Sequence, residues 1–496
     1  MIPLDFWGYI FLAIYSICLL FITAYCLGQL ALYIVYLWKR SMIIPKAKLE
    51  ESEWPRVAVQ LPIYNEKFVV NRLLDAIAAL DYPKDKLIIQ VLDDSTDETT
   101  DLVAAKVLTL LNDGFSIQHL HRKDRIGFKA GALKEGLRQL ETEFIAIFDA
   151  DFVPKKSFLK DTMPYFSNSS YGVIQTRWGH LNQGDGFLTQ LQAIQLNVHF
   201  TVEQYGRYLG SWFLQFNGTA GIWRKQAIEE AGGWEADTLT EDLDLSFRAQ
   251  LKGWKILYLE QVEAPAELPT DILGLKSQQF RWMKGGAETA RKILKTFLSS
   301  DVAISTKIVG AFHLLASTLF VTILLLGISS VGMLIFWEQI QFSLQYYSFF
   351  LISFFAILLI YLTVNVFIIK DSGPWAVRLV KFLFYFPWFL AMSMGLAFHN
   401  AWAVIEGWLG MKSPFIRTPK LGLGTGSQFH SKQTYTAQIR QKWQFGVELL
   451  LALLYLWSII YAVKEENYVF IVFHLMLFIG YGAVFCLSMR SLWKKP

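Results

Sequence analysis

The sequence predicts an α/β domain inserted in an α-helical transmembrane bundle. Of its 496 residues, 53% are apolar and only 18% are charged, which excludes a disordered chain and argues against a purely soluble enzyme. The apolar residues form long runs near both ends. Between these runs, residues 41–305 carry most of the acidic side chains and alternate strand-like with helix-like patterns, as expected of a domain with its own core.

Charge and cysteine usage narrow the possible chemistry. The net charge of +4 is too small to indicate a nucleic acid partner. The three cysteines all lie in apolar runs, at Cys18, Cys26 and Cys486. We therefore expect no disulfide framework, no thiolate metal site and no cysteine nucleophile, so any reaction must use carboxylates, hydroxyls, histidine, lysine or arginine.

One apolar run precedes the domain and five follow it. Residues 9–38 are long enough to cross a membrane, and the basic pair Lys39-Arg40 predicts that this end lies inside. The later runs cover residues 308–329, 347–369, 382–404, 447–463 and 468–489. Basic segments flank run 382–404 on both sides, so the positive-inside rule predicts that it lies in the cytoplasmic interface and that five runs cross. Six spans are the alternative.

The apolar runs divide the chain into five predicted segments, and the transmembrane helices among them would contact membrane lipids. These are an N-terminal transmembrane helix, a cytosolic α/β domain, two transmembrane helices, an interface helix with the loop after it, and two C-terminal transmembrane helices. They cover residues 1–40, 41–305, 306–370, 371–446 and 447–496. The N-terminus would lie outside and the C-terminus inside.

Strands and helices alternate in the first part of the domain. Short apolar runs predict four strands, the first of which stops at Pro62, and helical spacing predicts a helix after each of the first three. The strands are Val57–Leu61, Leu87–Leu92, 116–122 and Phe144–Phe148, and the helices are 67–80, a segment opened by a capping box at Ser95 and Glu98, and Phe128–Leu140. This alternation predicts a parallel sheet covered on both faces, with ligands bound beyond the carboxyl ends of its strands.

Two acidic clusters fall at those strand ends. Asp149-Ala150-Asp151 follows the fourth strand, and two carboxylates one residue apart can hold one Mg²⁺ or Mn²⁺ ion, which prefers oxygen ligands and can bridge to a diphosphate. Asp93-Asp94 follows the second strand, where a carboxylate could accept hydrogen bonds from a base or ribose. A solvated turn or a helix cap is the alternative for both clusters.

Aromatic and basic residues follow the other two strands at the same edge. Tyr64-Asn65-Glu66 follows the first strand and offers an aromatic face and a carboxylate to a nucleobase. Arg122, Arg125 and Lys129 follow the third strand and could neutralise a diphosphate. Ordinary solvated turns are the alternative in each case.

Two more motifs lie nearer the second membrane region. Thr240-Glu241-Asp242 precedes a helical pattern, where a carboxylate is either a general base or a helix cap. Gln278-Gln279-Phe280-Arg281-Trp282 lies just before the membrane and provides either interface anchors or an aromatic sugar platform beside an amide and a guanidinium. With the sheet-edge groups, these motifs suit a donor that has a diphosphate leaving group.

The order of five of these motifs resembles the membrane-bound family 2 glycosyltransferases that include cellulose and hyaluronan synthases. The five are Tyr64-Asn65-Glu66, Asp93-Asp94, Asp149-Ala150-Asp151, Thr240-Glu241-Asp242 and Gln278-x-x-Arg281-Trp282. A closer resemblance is to the plant cellulose-synthase-like A and C families, which make mannan or glucomannan and glucan backbones. The stretches that carry it are Val91–Asp97, Lys129–Gly136, His199–Gln204, Phe216–Gly221 and Ala231–Trp234. The resemblance covers about residues 55–290 and implies a GT-A, Rossmann-like glycosyltransferase domain on the cytosolic face.

The resemblance implies catalytic and metal-binding roles. Asp242, with Glu241 beside it, would act as the general base. Asp149 and Asp151 would act around the sugar and an Mg²⁺ or Mn²⁺ cofactor, with Asp151 the more direct ligand.

The remaining motif residues would hold the substrates. The nucleotide would contact Tyr64, Glu66, Asp93 and Lys129, and the donor and acceptor sugars would contact Asn217, Gln278, Arg281 and Trp282. Residues 415–420 resemble a gating loop that closes over the nucleotide through Phe415, Thr418 and Lys420, although Arg417 replaces the apolar residue usual in cellulose synthases.

The resemblance therefore implies an inverting, metal-dependent, processive β-glycosyltransferase. It would polymerise β-mannan, glucomannan or β-glucan from GDP-mannose or UDP-glucose and extrude the growing glycan through its own membrane channel. The alternative is a non-processive glycolipid synthase that transfers a hexose to a lipid acceptor. A transporter or scaffold with a degenerate domain is disfavoured because every expected carboxylate is present. The expected location is the inner membrane of a bacterium or the Golgi of a eukaryote.

Overall fold

The computed structural model describes residues 4–48, 50, 53–340, 348, 350–370, 373–413, 418, 420–422 and 442–493. Its centre is a sheet of seven strands. They are β1 (Val57–Ile63), β2 (Leu87–Asp93), β3 (Ser116–His121), β4 (Phe144–Ile147), β5 (Tyr171–His180), β6 (Gly221–Arg224) and β7 (Lys255–Ala266). Their spatial order is β3-β2-β1-β4-β6-β5-β7.

The sheet combines a parallel half with a mixed half. β1 lies between β2 and β4 and runs parallel to both, and β3 is parallel to β2, so the four predicted strands and their parallel arrangement are confirmed. β6 runs antiparallel to β4 and β5, whereas β5 and β7 are parallel. The predicted α/β fold class is confirmed, with an antiparallel strand that the sequence alternation did not indicate.

Helices cover both faces of the parallel half. α2 (Val70–Ala78) and α3 (Thr99–Asn112) pack on one face, and α4 (Phe128–Arg138) packs on the other. Successive side chains of β1 therefore enter two different cores: Val57 and Val59 join one apolar cluster and Ala58 joins the other. This two-sided burial explains why the strands appear in the sequence as continuous apolar runs.

Two details of the predicted boundaries are wrong. Pro62 does not end the first strand, which continues to Ile63 beside β2. β4 pairs with β1 only as far as Gln60, so at Pro62 the strand has a neighbour on one side only. A proline, which lacks an N–H, is tolerated at such a position. Ser95 does not open a capping box either. Its hydroxyl accepts a hydrogen bond from the Asn65 backbone N–H at 2.9 Å, and α3 begins four residues later with Glu98 as N-cap residue and no side-chain cap.

The rest of the domain is helical around the mixed half of the sheet. Its helices are α5 (Phe158–Thr162), α6 (Phe187–Val198), α7 (Tyr205–Leu209), α8 (Lys225–Glu230), α9 (Glu241–Leu251) and α10 (Ile272–Ser299). A π-helical turn at His199–Gln204 joins α6 to α7. α10 is one of the elements that connect the domain to the membrane helices, since it packs along the helix that precedes the predicted gating loop.

The membrane part is a helical bundle. Its helices are α1 (Leu4–Lys39), α11 (Ile304–Leu314), α12 (Leu319–Ile335), α13 (Leu351–Leu362), α14 (Trp375–Gly395), α15 (Ala397–Leu409), α16 (Trp443–Lys464) and α17 (Ile471–Trp493). Among the described residues, 6 helical stretches are long and apolar enough to cross a membrane, namely Phe6–Lys39, Ala316–Ile335, Leu351–Ile368, Trp375–Gly395, Trp443–Lys464 and Ile471–Trp493.

The predicted interfacial run 382–404 is divided between two helices. α14 and α15 meet at Leu396, so the run is not one helix, and α14 alone is among the stretches long enough to cross. The interfacial placement of this run, the count of five spans and the five segment boundaries remain predictions.

Gly395 of α14 and Gly480 of α17 allow these two helices to pack in direct backbone contact. A Cβ atom at Gly480 would lie 2.0 Å from the Ala391 carbonyl oxygen, which no side chain can tolerate. We expect Gly480→Val to destabilise the purified protein by about 1–3 kcal/mol through overpacking, measured as a lower thermal midpoint. Gly482→Val is the matched control, because among the described residues no atom outside its own helical turn lies within 4 Å of a Cβ there. Equal midpoints for the two variants would contradict the close crossing.

Candidate active site

A cavity of about 200 Å³ opens at the carboxyl edge of the sheet, between the strand ends, α9 and α10. Residues from every predicted motif line it. They are Tyr64, Glu66, Lys129, Asp149, Asp151, Asn217, Glu241, Asp242, Gln278, Arg281, Trp282, Thr418 and Lys420. Phe415 lies outside the described residues, and Asp93 does not line the cavity.

Asp93 is buried beneath the cavity wall. Its Oδ2 atom is hydrogen-bonded to His119 Nε2 at 2.9 Å and to His121 Nδ1 at 3.2 Å, and its Oδ1 accepts the Ser95 backbone N–H at 2.8 Å. Burial alone would raise the pKa of Asp93, but the hydrogen bonds from His119 and Ser95 hold it well below its usual range. Both carboxylate oxygens of Asp93, which was predicted to contact the nucleotide, are therefore hydrogen-bonded within the protein.

The neighbouring residue Asp94 lines the cavity instead. Arg122 holds it with two hydrogen bonds of 2.6 Å, and the Arg125 guanidinium stacks on the Tyr64 ring at 3.3 Å from its centroid. The predicted basic cluster is thus present at the edge, but Arg122 is committed to a carboxylate and Arg125 to an aromatic face. Both contacts fix the wall on the side where a nucleoside was expected.

Asp149 and Lys129 form an ion pair in the cavity. The Lys129 ammonium donates to Asp149 Oδ1 at 2.6 Å and to the Gly218 carbonyl at 2.9 Å. Burial would lower the pKa of Lys129, but the charges of Asp149 and Glu241 hold it above its usual value, and Lys129 in turn lowers the pKa of Asp149. Gly218, at φ +79°, leaves room for this arrangement, since a Cβ there would lie 2.9 Å from Asp242 Oδ2.

Asp151 pairs with a lysine from the predicted gating loop. Lys420 Nζ lies 2.6 Å from Asp151 Oδ1 and 3.7 Å from Glu66 Oε1. Asp149, Asp151 and Glu66 therefore present carboxylate oxygens to one cavity, and their attraction for cations is already apparent in these contacts. Carboxylate oxygens are the ligand type that Mg²⁺ and Mn²⁺ prefer, but in this structure Lys129 and Lys420 occupy the oxygens of Asp149 and Asp151.

Asp242 lies in the first turn of α9 and faces the same cavity. The helix begins at Glu241, and Asp242 Oδ1 accepts the Leu243 backbone N–H at 2.8 Å, which leaves Oδ2 directed toward Gly218. Burial, together with the charge of Glu241, raises the pKa of Asp242 to about 7. A carboxylate with this pKa can take up a proton near neutral pH, as a general base must.

This pKa gives a testable pH dependence. If Asp242 acts as a base, kcat/KM rises as pH increases through about 7. Glu241→Gln removes the adjacent negative charge, which lowers the pKa of Asp242, so the rising limb should move to lower pH by about one pH unit. Glu235→Gln, which changes a carboxylate outside the cavity that pairs with Lys292, should leave the limb in place. An unmoved limb in Glu241→Gln would contradict the assignment.

α10 brings its motif to the opposite wall. Gln278, Arg281 and Trp282 line the cavity, and Arg281 Nη2 donates to Thr418 Oγ1 at 3.0 Å. Asn217 is buried nearby, with its Oδ1 accepting from Gln215 Nε2 at 2.9 Å. Its Nδ2 atom is buried and has no hydrogen-bond partner among the described residues, so it is an unsatisfied donor at the cavity wall.

Glu267 is a cavity residue that the sequence analysis missed. Its Oε1 accepts from Arg72 at 2.6 Å, and its Oε2 accepts the backbone N–H groups of Leu421 and Gly422 at 3.1 and 3.2 Å. It thus anchors the segment that carries Lys420. Like Asp149, Glu267 is a carboxylate directly after a strand, which is the pattern that could have identified it. It was missed because the sequence analysis did not predict β7.

Comparisons with known proteins identify the family. Residues 55–285 match the family model described as glycosyltransferase like family 2. Probable glucomannan 4-beta-mannosyltransferase 3 of Oryza sativa subsp. japonica is 33% identical over 454 residues, covering 88% of this chain and 79% of that protein. Glucomannan 4-beta-mannosyltransferase 2 of Arabidopsis thaliana is 39% identical over 299 residues, 57% of this chain and 56% of the relative, so the match spans about half of that protein's length.

A solved structure has the same fold. A mannosyltransferase from Pyrobaculum calidifontis, determined with GDP-mannose and Mn²⁺, superimposes with a TM-score of 0.53 at 18% identity, covering 80% of this chain and 100% of that one. The fold and the cavity define a membrane-associated protein with a GT-A domain. The chain belongs to the family 2 glycosyltransferases, in the cellulose synthase-like group of the plant glucomannan mannosyltransferases.

Proposed function

We propose that this protein is an inverting β-hexosyltransferase that polymerises β-mannan or glucomannan from GDP-mannose. The observation that carries the proposal is the placement of Asp242, with its pKa raised to about 7, in the same cavity as the acidic residues Asp149 and Asp151. The names of the relatives favour mannose as the sugar. A β-glucan made from UDP-glucose is the competing outcome, because the same site groups serve either donor.

The strand ends are proposed to bind the nucleotide. Tyr64 and Glu66 lie where the nucleoside is expected, and Asp94, whose carboxylate is held by Arg122, lines the cavity there whereas Asp93 does not. Asp151 and Asp149 would hold an Mg²⁺ or Mn²⁺ ion, which when bound neutralises charge on the diphosphate. Lys129 and Lys420 bring two further positive charges to the same place, so the leaving group is stabilised by this chain's own residues as well.

The reaction is proposed as a single displacement. Asp242 accepts the proton of an acceptor hydroxyl, the hydroxyl oxygen forms a bond to the anomeric carbon, and the bond from that carbon to the diphosphate breaks on the opposite face. An α-linked donor therefore gives a β-linked product. The Trp282 ring, Gln278, Arg281 and the free amide nitrogen of Asn217 are proposed to align the two sugars, because alignment can contribute several kcal/mol to the rate.

Processive extrusion is proposed from the position of α10. This helix carries the sugar-binding motif on the cavity side and is tied to the bundle through Lys276, which bonds Glu448 of α16, and through Gln279, which accepts from Asn400 of α15. A glycan end held at Trp282 would thus lie at the entrance of the helical bundle. The catalytic domain would face the cytosol, where nucleotide sugars are available.

The test is donor turnover by the full chain in nanodiscs. Radiolabelled GDP-mannose and UDP-glucose are offered separately with Mg²⁺ or Mn²⁺, the product is sized, and its sensitivity to β-mannanase and β-glucanase is measured. Long mannanase-sensitive chains from GDP-mannose are expected. Label found only in an organic-extractable product of one or two sugars would overturn polymerisation and identify a glycolipid synthase.

A further inference from the structure

A second cavity of about 830 Å³ adjoins the candidate active site. We call it the interface cavity, because it is lined by the ends of α1 and of the helical stretch Leu351–Ile368, by residues 42–44, and by β5 and β7. Trp178, Gly179 and His180 of β5 line both cavities, so one short stretch of strand separates them. No step of the proposed reaction uses the interface cavity.

The lining of the interface cavity combines apolar and polar residues. Met42, Ile43 and Ile44, which follow α1, are apolar, and Ile43 is 88% exposed. β5 and β7 contribute polar residues, including Arg177 and Glu260. A lining that is apolar next to two candidate membrane spans and polar next to the sheet fits an amphiphile, whose chains lie in the membrane and whose head is polar.

The charges in the cavity favour an anionic head. Arg40 follows α1 and lies over the Tyr36 ring at 6.0 Å from its centroid, and Lys370 follows the stretch that ends at Ile368. In the part of the chain that the structure describes, neither forms a salt bridge, although the charge of Arg40 acts on Glu260. Arg177 pairs with Glu263 at 3.1 Å, and its Nε atom is buried with no hydrogen-bond partner among the described residues. Glu260 accepts a hydrogen bond from the Tyr36 hydroxyl at 3.3 Å.

Glu260 offsets only part of this positive charge at neutral pH. Its burial raises its pKa to about 7, despite the opposing effects of Arg177, Tyr36 and Arg40, so it is partly protonated. Arg40 and Lys370 thus lie at the membrane ends of a cavity whose two acidic residues carry little free charge. Glu263 is paired with Arg177, and Glu260 is partly protonated. This is the chemistry that recognises a phosphate group at a membrane surface.

We propose that the interface cavity binds the headgroup of an anionic phospholipid, with Arg40 and Lys370 contacting its phosphate and its acyl chains passing Met42 and Ile43 into the membrane. The proposal does not depend on the transferase reaction. Because the wall at Trp178–His180 is shared, the bound lipid would lie directly behind one side of the candidate active site.

Native mass spectrometry of the full chain tests the proposal. The protein is titrated with an equimolar mixture of dioleoylphosphatidylglycerol and dioleoylphosphatidylcholine, and the wild type should retain the anionic lipid preferentially. The double variant Arg40→Gln/Lys370→Gln should bind it about 30-fold more weakly, taking about 1 kcal/mol per basic residue. Lys381→Gln/Arg490→Gln removes two exposed basic residues that do not line the cavity, and should bind as the wild type does. Equal retention of the two lipids, or equal losses in both double variants, would overturn the proposal.

A variant that is expected to bind the anionic lipid more tightly distinguishes the proposal from a folding defect. Glu263→Gln releases Arg177 from its ion pair and removes a negative charge, so the anionic lipid should bind more tightly. Apolar surface exposed by misfolding would bind both lipids more tightly, whereas the proposal expects tighter binding of phosphatidylglycerol alone. Unchanged or weaker binding of that lipid counts against the proposal. Inorganic phosphate at the same concentration as the lipid should not displace it, because it lacks acyl chains; displacement would show a free-phosphate site instead.

Discussion

Asp242→Asn is expected to lower kcat by about 10³-fold while leaving the affinity for the nucleotide unchanged within about twofold, because a general base typically contributes 10²–10⁴ to the rate. Asparagine keeps the shape of the side chain and can still accept the Leu243 N–H through Oδ1. It cannot take up the proton of an acceptor hydroxyl. The loss should therefore fall on the chemical step and not on binding.

Two measurements distinguish this result from a structural defect. Nucleotide affinity is measured by calorimetry with GDP, and kcat by release of GDP in the presence of acceptor. Asp237→Asn is the matched control, since Asp237 lies close in sequence but pairs with Lys292 and does not line the cavity. Retention of more than about a tenth of the wild-type kcat in Asp242→Asn would exclude Asp242 as the base, given the magnitude expected of general-base catalysis.

The convergence of the site could be predicted from the sequence because it follows from one rule of α/β sheets. Parallel strands present their carboxyl ends at one edge, so residues just after β1 and β4, such as Glu66 and Asp151, must lie together there. The structure confirms that both line one cavity. α9 and α10 add Asp242 and Trp282 to it, which the motif order indicated only through the family resemblance.

The choice between Asp93 and Asp94 could not be predicted. Successive residues at a strand end point to opposite sides, and which one reaches the cavity depends on the histidines that β3 places beside β2. Those histidines are 26 and 28 residues farther along the chain and carry no motif signal. A local pattern identifies an acidic strand end but not the direction of each side chain.

Contacts between segments that are distant in the sequence could not be predicted either. The ion pair between Lys420 and Asp151 depends on how the chain returns from the membrane to the sheet edge, which no local propensity encodes. The insertion of antiparallel β6 between β4 and β5 has the same origin, because its four residues are too few to show a periodicity. Long-range packing decides these features.

Replacing Lys276 by Met is expected to destabilise the protein by about 3–5 kcal/mol, the usual cost of leaving a buried charge without its partner. The Lys276 ammonium contacts both carboxylate oxygens of Glu448, at 2.7 and 2.9 Å, and the Ser488 hydroxyl at 3.0 Å. Glu448 is fully buried in α16. Without Lys276 its carboxylate has to stay ionised in an apolar bundle, take up a proton, or force the helices apart.

The same substitution should also reduce transfer, because Lys276 is two residues from Gln278 on the helix that carries the proposed sugar platform. A shift of α10 would displace Arg281 and Trp282 from the cavity. The double variant Lys276→Met/Glu448→Met removes both charges, so its thermal midpoint should return to near or above that of the wild type. Lys295→Met, an exposed lysine on the same helix, should leave both thermal midpoint and kcat unchanged. If the single and double variants melt at the same temperature, the pair does not hold the catalytic domain to the bundle, and the position of the sugar platform must be fixed by other contacts such as that between Gln279 and Asn400.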